Sequence, residues 1–210
     1  MTEHPLNCDN RTALAIYEGR QTQDRRPLTK RRVDCRNVAF EDLDFSMAHA
    51  VKDRLVVRGK DEQLHIVTSQ VKVGDVVWIR EAHRCMPEPY RRVIYRADFP
   101  NVTRMLQRDW QKSGLKWHAS IHMPRKFCRS LRRVTRVWFE RTQDISEADA
   151  IAEGIGQDIL GWYGYGDSFA AGEHETARQA FRCMYDSIYP GAWDANGWNV
   201  CKEFEPIEEA

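Results

Sequence analysis

The amino-acid sequence predicts an α+β fold, with strands of mixed length curling into a barrel-like sheet and a few helices outside it. Three observations carry that expectation. Residues 76–80, 130–141 and 196–207 have the β-branched and aromatic content of strands. Residues 144–155 and 172–189 combine helix caps with apolar positions at helical spacing. No internal repeat or low-complexity linker separates these segments, and no apolar run approaches the ~20 residues of a membrane span.

Residues 10–18 read as a short helix, with Asn10 as its cap and Gly19 as its stop. A wholly polar run, QTQDRR (21–26), follows. Residues 20–36 hold the basic side chains Arg20, Arg25, Arg26, Lys30, Arg31, Arg32 and Arg36. Residues 37–70 are mixed, with a helix expected around Phe45–Val51 and a strand around Gln63–Ser69, and read as a peripheral insertion. A Gly-Asp turn leads into a strand over Val76–Arg80. Residues 91–98 read as a further strand, and 99–116 as a loop or short helix. In 130–141, Leu131, Arg133, Thr135, Val137 and Phe139 share one face and Arg132, Val134, Arg136 and Trp138 the other, so arginine stands on both.

The helix over 144–155 is the best specified. Ser146 caps it, Asp149 three residues later completes a capping box, and Ile145 and Ala150 staple it. Gly154 ends it, which leaves Glu153 on the last turn. A glycine-rich aromatic loop over 154–169 is either a mobile lid or a flexible connection. Residues 172–189 read as the longest helix, with Ala177, Ala180, Phe181, Met184 and Ile188 at helical spacing. Residues 196–207 read as a closing strand before an acidic tail.

The chain has 210 residues, enough for one domain with insertions near 37–70 and 99–115. Its 32 Lys+Arg nearly balance 31 Asp+Glu, so only local patches argue for nucleic acid. Seven Trp and seven Tyr build a core or make stacking pockets. Six cysteines are scattered without a C-x-x-C pair, which argues against a structural zinc site. The polar N-terminal stretch MTEHPLNCDN has no secretory pattern, so the expectation is a reduced cytoplasmic protein with free thiols.

Four constellations carry candidate chemistry. In QTQDRR, Arg25 and Arg26 beside Asp24 offer planar donor forks for an anion or a base edge; the alternative is a solvated loop with local ion pairs. Glu153 meets the negative end of a helix dipole, which raises its pKa and suits general acid–base work; the alternative is an exposed helix-end glutamate. In KWHASIHMPRKFCR (116–129), Trp117 is a candidate for stacking a base, and His122 with Arg125 for contacting phosphate or moving a proton. His118 and His122 would share a helix face only if Pro124 did not break it, so no metal or other cofactor is expected. The loop 154–169 lacks G-x-G-x-x-G, and no P-loop, G-x-S-x-G or H-E-x-x-H is present.

YEGRQTQDRR, VGDVVWIRE, YRAD, KWHASIHMPR, ISEADAIAEGI and NGWNVCKEF occur in the order seen in phage and prophage ASCH-domain proteins, which the chain resembles over most of its length apart from roughly 37–70 and 99–115. SIHMPR and DAIAEGI are the specific parts. The resemblance implies a single small PUA-like mixed β-barrel with peripheral helices, whose cleft binds RNA, other nucleic acid or a modified nucleoside. Small bacterial members include amidohydrolases that deacetylate N4-acetylcytidine with a lysine, a threonine and a glutamate. Here the lysine position is Gln21, which cannot serve as a base, and the nucleophilic threonine position is Asp24; Thr22 and Glu153 are kept. Arg25, Arg26, Glu81, His122, Arg125 and Glu153 match family positions. The expectation is therefore a binding module in which Trp117 stacks a base, Thr22 and Glu81 line the cleft, Arg25, Arg26 and Arg125 meet phosphates, and Arg132 and Arg136 extend the basic track. The rival expectations are a hydrolase with Asp24, His122 and Glu153 in acid–base roles, and a phage accessory protein that contacts a host protein.

Overall fold

Strands dominate the chain, in the order β1 (Glu3–Asn7), α1 (Asn10–Tyr17), β2 (Gln23–Pro27), β3 (Val33–Asp34), β4 (Leu43–Val51), β5 (Arg54–Gly59), β6 (Leu64–Ser69), β7 (Val76–Arg80), β8 (His83–Cys85), β9 (Val93–Tyr95) and β10 (Leu131–Arg141). Then come α2 (Glu147–Ala152), β11 (Gly156–Asp158), β12 (Gly161–Tyr163), α3 (Ala177–Ile188), α4 (Ala192–Ala195) and β13 (Trp198–Pro206). The computed structural model describes residues 1–36, 38–86, 88–89, 92–99, 116–164 and 174–207. Most of the segment expected as a loop or helix over 99–116, the end of the glycine-rich loop and the acidic tail lie outside the described residues. Two compact units emerge: Met1–Arg20, Val76–Arg133 and Pro206–Ala210 form one, and Gln21–Asp75 with Val134–Glu205 the other.

In the first unit β1 runs parallel to β7, from Glu3 opposite Val76 to Asn7 opposite Arg80. The first residues of β10 flank β7 on its other side, antiparallel, with Leu131 opposite Trp78. β7 is thus an inner strand, and the unbroken apolar run Val76-Val77-Trp78-Ile79 is buried on both of its faces. Helix α1 buries Ala13, Ala15 and Ile16. Its cap is Asp9, not Asn10: the Asp9 carboxylate accepts from the backbone N–H groups of Arg11 at 2.9 Å and Thr12 at 2.8 Å. The expected strand over 91–98 is shorter, because β9 gives way to a 3-10 turn over Arg96–Asp98.

In the second unit β13 pairs antiparallel with β2. The segment 33–69 builds a sheet of its own, in the order β3-β6-β5-β4. The helix expected around Phe45–Val51 is absent: these residues belong to β4, which pairs with β5 across a turn where Lys52 takes φ +57°. Helix α2 follows its sequence signals. The Ser146 hydroxyl accepts from the Asp149 N–H at 3.0 Å, and Gly154 takes φ +93° to end it. Ala150 of α2 packs with Phe181 and Tyr185 of α3 in an apolar cluster that also buries Ile145 and Trp193.

No barrel closes among the described strands. β1 has only β7 as a neighbour, β2 only β13, β3 only β6 and β4 only β5, so the sheets are open and the expected PUA-like β-barrel is not formed. Proline gives part of the reason. Pro5 stands in β1 and Pro27 ends β2, and a residue without an N–H cannot continue a ladder on that side. All six cysteines are free thiols. No described helix is long and apolar enough to cross a membrane.

Candidate functional site

The β2–β13 register sets Lys202 directly opposite Asp24. Opposed residues share a face, and Arg26, two residues on from Asp24, shares it too. The Lys202 ammonium therefore donates to Asp24 Oδ2 at 2.6 Å, while Arg26 Nε donates to both carboxylate oxygens at 2.8 and 3.0 Å. Asp24 and Lys202 are each only 5% exposed. Burial alone would raise the Asp24 pKa, but the charges of Arg26 and Lys202 outweigh it and hold the carboxyl well below the usual range. Asp24 is thus held as an anion at neutral pH, bonded by two cations.

Alternation sends Gln23 and Arg25 to the other face of β2. Gln23 Nε2 donates to Asp149 Oδ1 at 3.0 Å, and Gln21 Nε2 to the Gln23 carbonyl at 2.9 Å. Arg25 Nη2 donates to Glu140 Oε2 at 2.8 Å. Its Nε lies 4.0 Å from Oε1 of Glu153, the residue that caps the C-terminal end of α2. Here the Thr22 N–H donates to the carbonyl of Ala152 at 2.9 Å, tying the approach to β2 to the end of that helix.

Glu153 is 4% exposed. Burial raises its pKa, the Asp24 charge adds to the rise, and Arg25 offsets only part of it, so the carboxyl is pushed up to about 8. Glu153 Oε1, Arg25 Nε and Gln23 Oε1 are buried and find no hydrogen-bond partner among the described residues. Buried polar groups are nearly always paired, so three open valences in one cluster mark it out. Together they offer one donor, one acceptor and one oxygen that changes between donor and acceptor near neutral pH.

The sequence-predicted residues divide between the units. Asp24, Arg25, Arg26 and Glu153 meet in the second unit. Thr22 is exposed beside them, and Arg136 is exposed on β10, its guanidinium 4.4 Å from the Trp138 ring. Glu81, Trp117, His122, Arg125 and Arg132 belong to the first unit. There Glu81 accepts two 2.8 Å bonds from Arg129, which also bonds Asp98 and lies 4.0 Å from the Tyr95 ring. Arg125 pairs with Glu3 at 2.6 Å. Arg132 is buried and donates to the carbonyls of Ile16 and Leu131. Trp117 lies under the guanidinium of Arg84 at 4.7 Å, and His122 is exposed in a 3-10 turn. His118 and His122 share no helix, because short turns flank Pro124 instead. No group of three metal-ligating side chains occurs among the described residues.

Arg25, Arg26, Arg125 and Arg132 are therefore each bonded to acceptors within their own unit. Lys202 and Glu140 are the members that sequence reasoning missed. A lone lysine inside a closing strand looks like a surface residue, and only the register reveals its partner. No family model matches the chain, and no curated protein and no solved structure does so either.

Proposed function

We propose that the protein binds a base-bearing ligand, a modified nucleoside free or within single-stranded RNA, at the Glu153–Arg25 centre of its second unit. One observation carries this reading: Glu153 Oε1 and Arg25 Nε are buried 4.0 Å apart, and neither has a hydrogen-bond partner among the described residues. That spacing is too wide for a direct hydrogen bond. A base edge presents donors and acceptors side by side, and it fills a carboxyl oxygen and a guanidinium N–H at once. Gln23 Oε1 adds an acceptor for an exocyclic amino group. Its motif resemblance to ASCH-domain proteins points to the same ligand class.

A second reading, hydrolysis of an acylated base, is favoured by the protonation of Glu153. A carboxyl with its pKa at about 8 is a proton donor at neutral pH and can protonate a leaving nitrogen. Asp24 takes no part in that step as a base. Its role is to hold Lys202 and to raise Glu153.

The two readings separate in one experiment. The purified protein is incubated with cytidine, N4-acetylcytidine and short single-stranded RNA, binding is measured by calorimetry, and products are read by mass spectrometry. Binding without product, lost in Glu153→Ala, is the expected result. Turnover abolished in Glu153→Gln, with binding kept, would promote the hydrolase. Binding indifferent to both substitutions would remove this centre from consideration.

A further inference from the structure

We propose that a separate cavity in the second unit, walled by Phe40, Phe45 and Trp198, binds a flat aromatic carboxylate with Arg141 as its counter-charge. The cavity has a volume of about 430 Å³. That falls within the range of about 300–1,000 Å³ typical of small-molecule sites, towards its lower end. Its walls follow from three chain features. The 3-10 turn over Phe40–Asp42 and the start of β4 bring the Phe40 and Phe45 rings to 5.0 Å between centroids. β13 begins at Trp198, whose Nε1 donates to the Phe45 carbonyl at 3.3 Å. β10 ends at Arg141, whose guanidinium lies 4.5 Å from the Trp198 ring centre.

Arg141 is the unusual member. Its donors reach only main-chain carbonyls, those of Phe45 at 3.4 Å, Ser46 at 3.3 Å and Asn196 at 3.4 Å. Arg25 and Arg26 in the same unit each hold a carboxylate at 2.8 Å. Among the described residues Arg141 has no acidic partner. Long bonds to neutral acceptors are weak beside a charge-assisted pair, so a half-buried guanidinium against aromatic walls is a seat for an anion. The Tyr185 and Thr142 hydroxyls of the lining are already used. The Tyr185 hydroxyl donates to Asn199 Oδ1, and the Thr142 hydroxyl donates to the Gly197 carbonyl while accepting from Asn199 Nδ2. A sugar would find few partners here. A ring bearing one acidic group satisfies both the walls and the cation, which separates this ligand class from the nucleoside assigned to the Glu153 centre.

The test uses 2-naphthoate, its neutral isostere 2-naphthamide, and cytidine as the nucleoside arm, titrated into the full chain. Naphthoate should bind at least tenfold more tightly than naphthamide, and cytidine should not compete. Arg141→Gln should abolish the preference for the acid, and Phe45→Ala should weaken acid and amide together. Each variant is first checked by circular dichroism. If Arg141→Gln does not fold, the acid–amide comparison on the unaltered protein and the Phe45→Ala titration decide the matter. Equal affinity for acid and amide, no binding of naphthoate, or displacement of naphthoate by cytidine would each overturn the proposal, whatever the fate of the Glu153 centre.

Discussion

Asp24 and Glu153 are two buried carboxylates that titrate in opposite directions, and stability should show it. The folded-state pKa of Glu153 is raised from 4.5 to about 8, so the native chain holds a proton that the unfolded chain has released. Its contribution is fully present below the unfolded pKa and is lost as pH rises through the folded one. Thermal unfolding of wild type should therefore weaken between about pH 5 and about pH 8 relative to Glu153→Gln, whose neutral amide does not titrate. Parallel curves for the two proteins would refute the assignment. Asp24 behaves in the reverse sense: its pKa is depressed, so its contribution is present above the ordinary carboxylate pKa and disappears only in strong acid. Asp24→Asn leaves the Lys202 ammonium buried without a counter-charge, and urea unfolding at neutral pH should show a loss of about 3–5 kcal/mol. Glu153 was legible from the chain, because Ser146, Asp149 and Gly154 announce where its helix starts and stops. Its partners were not. The pairing of Lys202 with Asp24 depends on strand register, which is set by contacts 178 residues apart in sequence.

Local signals specify helices better than strands in this chain. In α2 the cap, the stop and the buried Ala150 all agree, and Ser146→Ala should cost about 1 kcal/mol in the same unfolding assay. In α3 the predicted face is right for Ala177, Ala180 and Phe181, whereas Ile188 at the last helical position is exposed and Tyr185 takes the inner position. Phe181 is 1% exposed, and Phe181→Ala should cost about 3–5 kcal/mol. A loss below about 1 kcal/mol would show that the helix is not packed as described. β4 was misread because Met47, Ala48 and Ala50 favour helix in isolation. Pairing with β5 overrides that preference, and the Lys52 turn carries none of the usual glycine signal. In β10 the buried side changes along the strand, from Arg132 and Val134 to Val137 and Phe139. No strict alternation can forecast such a switch, and it explains why both faces carried arginine.

For the whole molecule, the α+β class was legible and the closure of the sheet was not. Composition and periodicity name the elements; only pairing says whether the last strand returns to the first, and in no described sheet of more than two strands do the end strands pair with one another. The near balance of 32 basic and 31 acidic residues, and the arginines bonded to internal partners, argue against binding dominated by phosphate contacts. The affinity for short single-stranded RNA should accordingly fall with a log–log salt slope shallower than about −1 between about 50 and 200 mM salt. The measurement that bears most directly on the central claim is calorimetric titration of cytidine, N4-acetylcytidine and short RNA into wild type and Glu153→Ala at neutral pH. At least one of these ligands should bind wild type, with an affinity that drops at least tenfold in a Glu153→Ala variant that still folds. Equal affinities in the two proteins, or no binding of any of the three to wild type, would contradict the central claim.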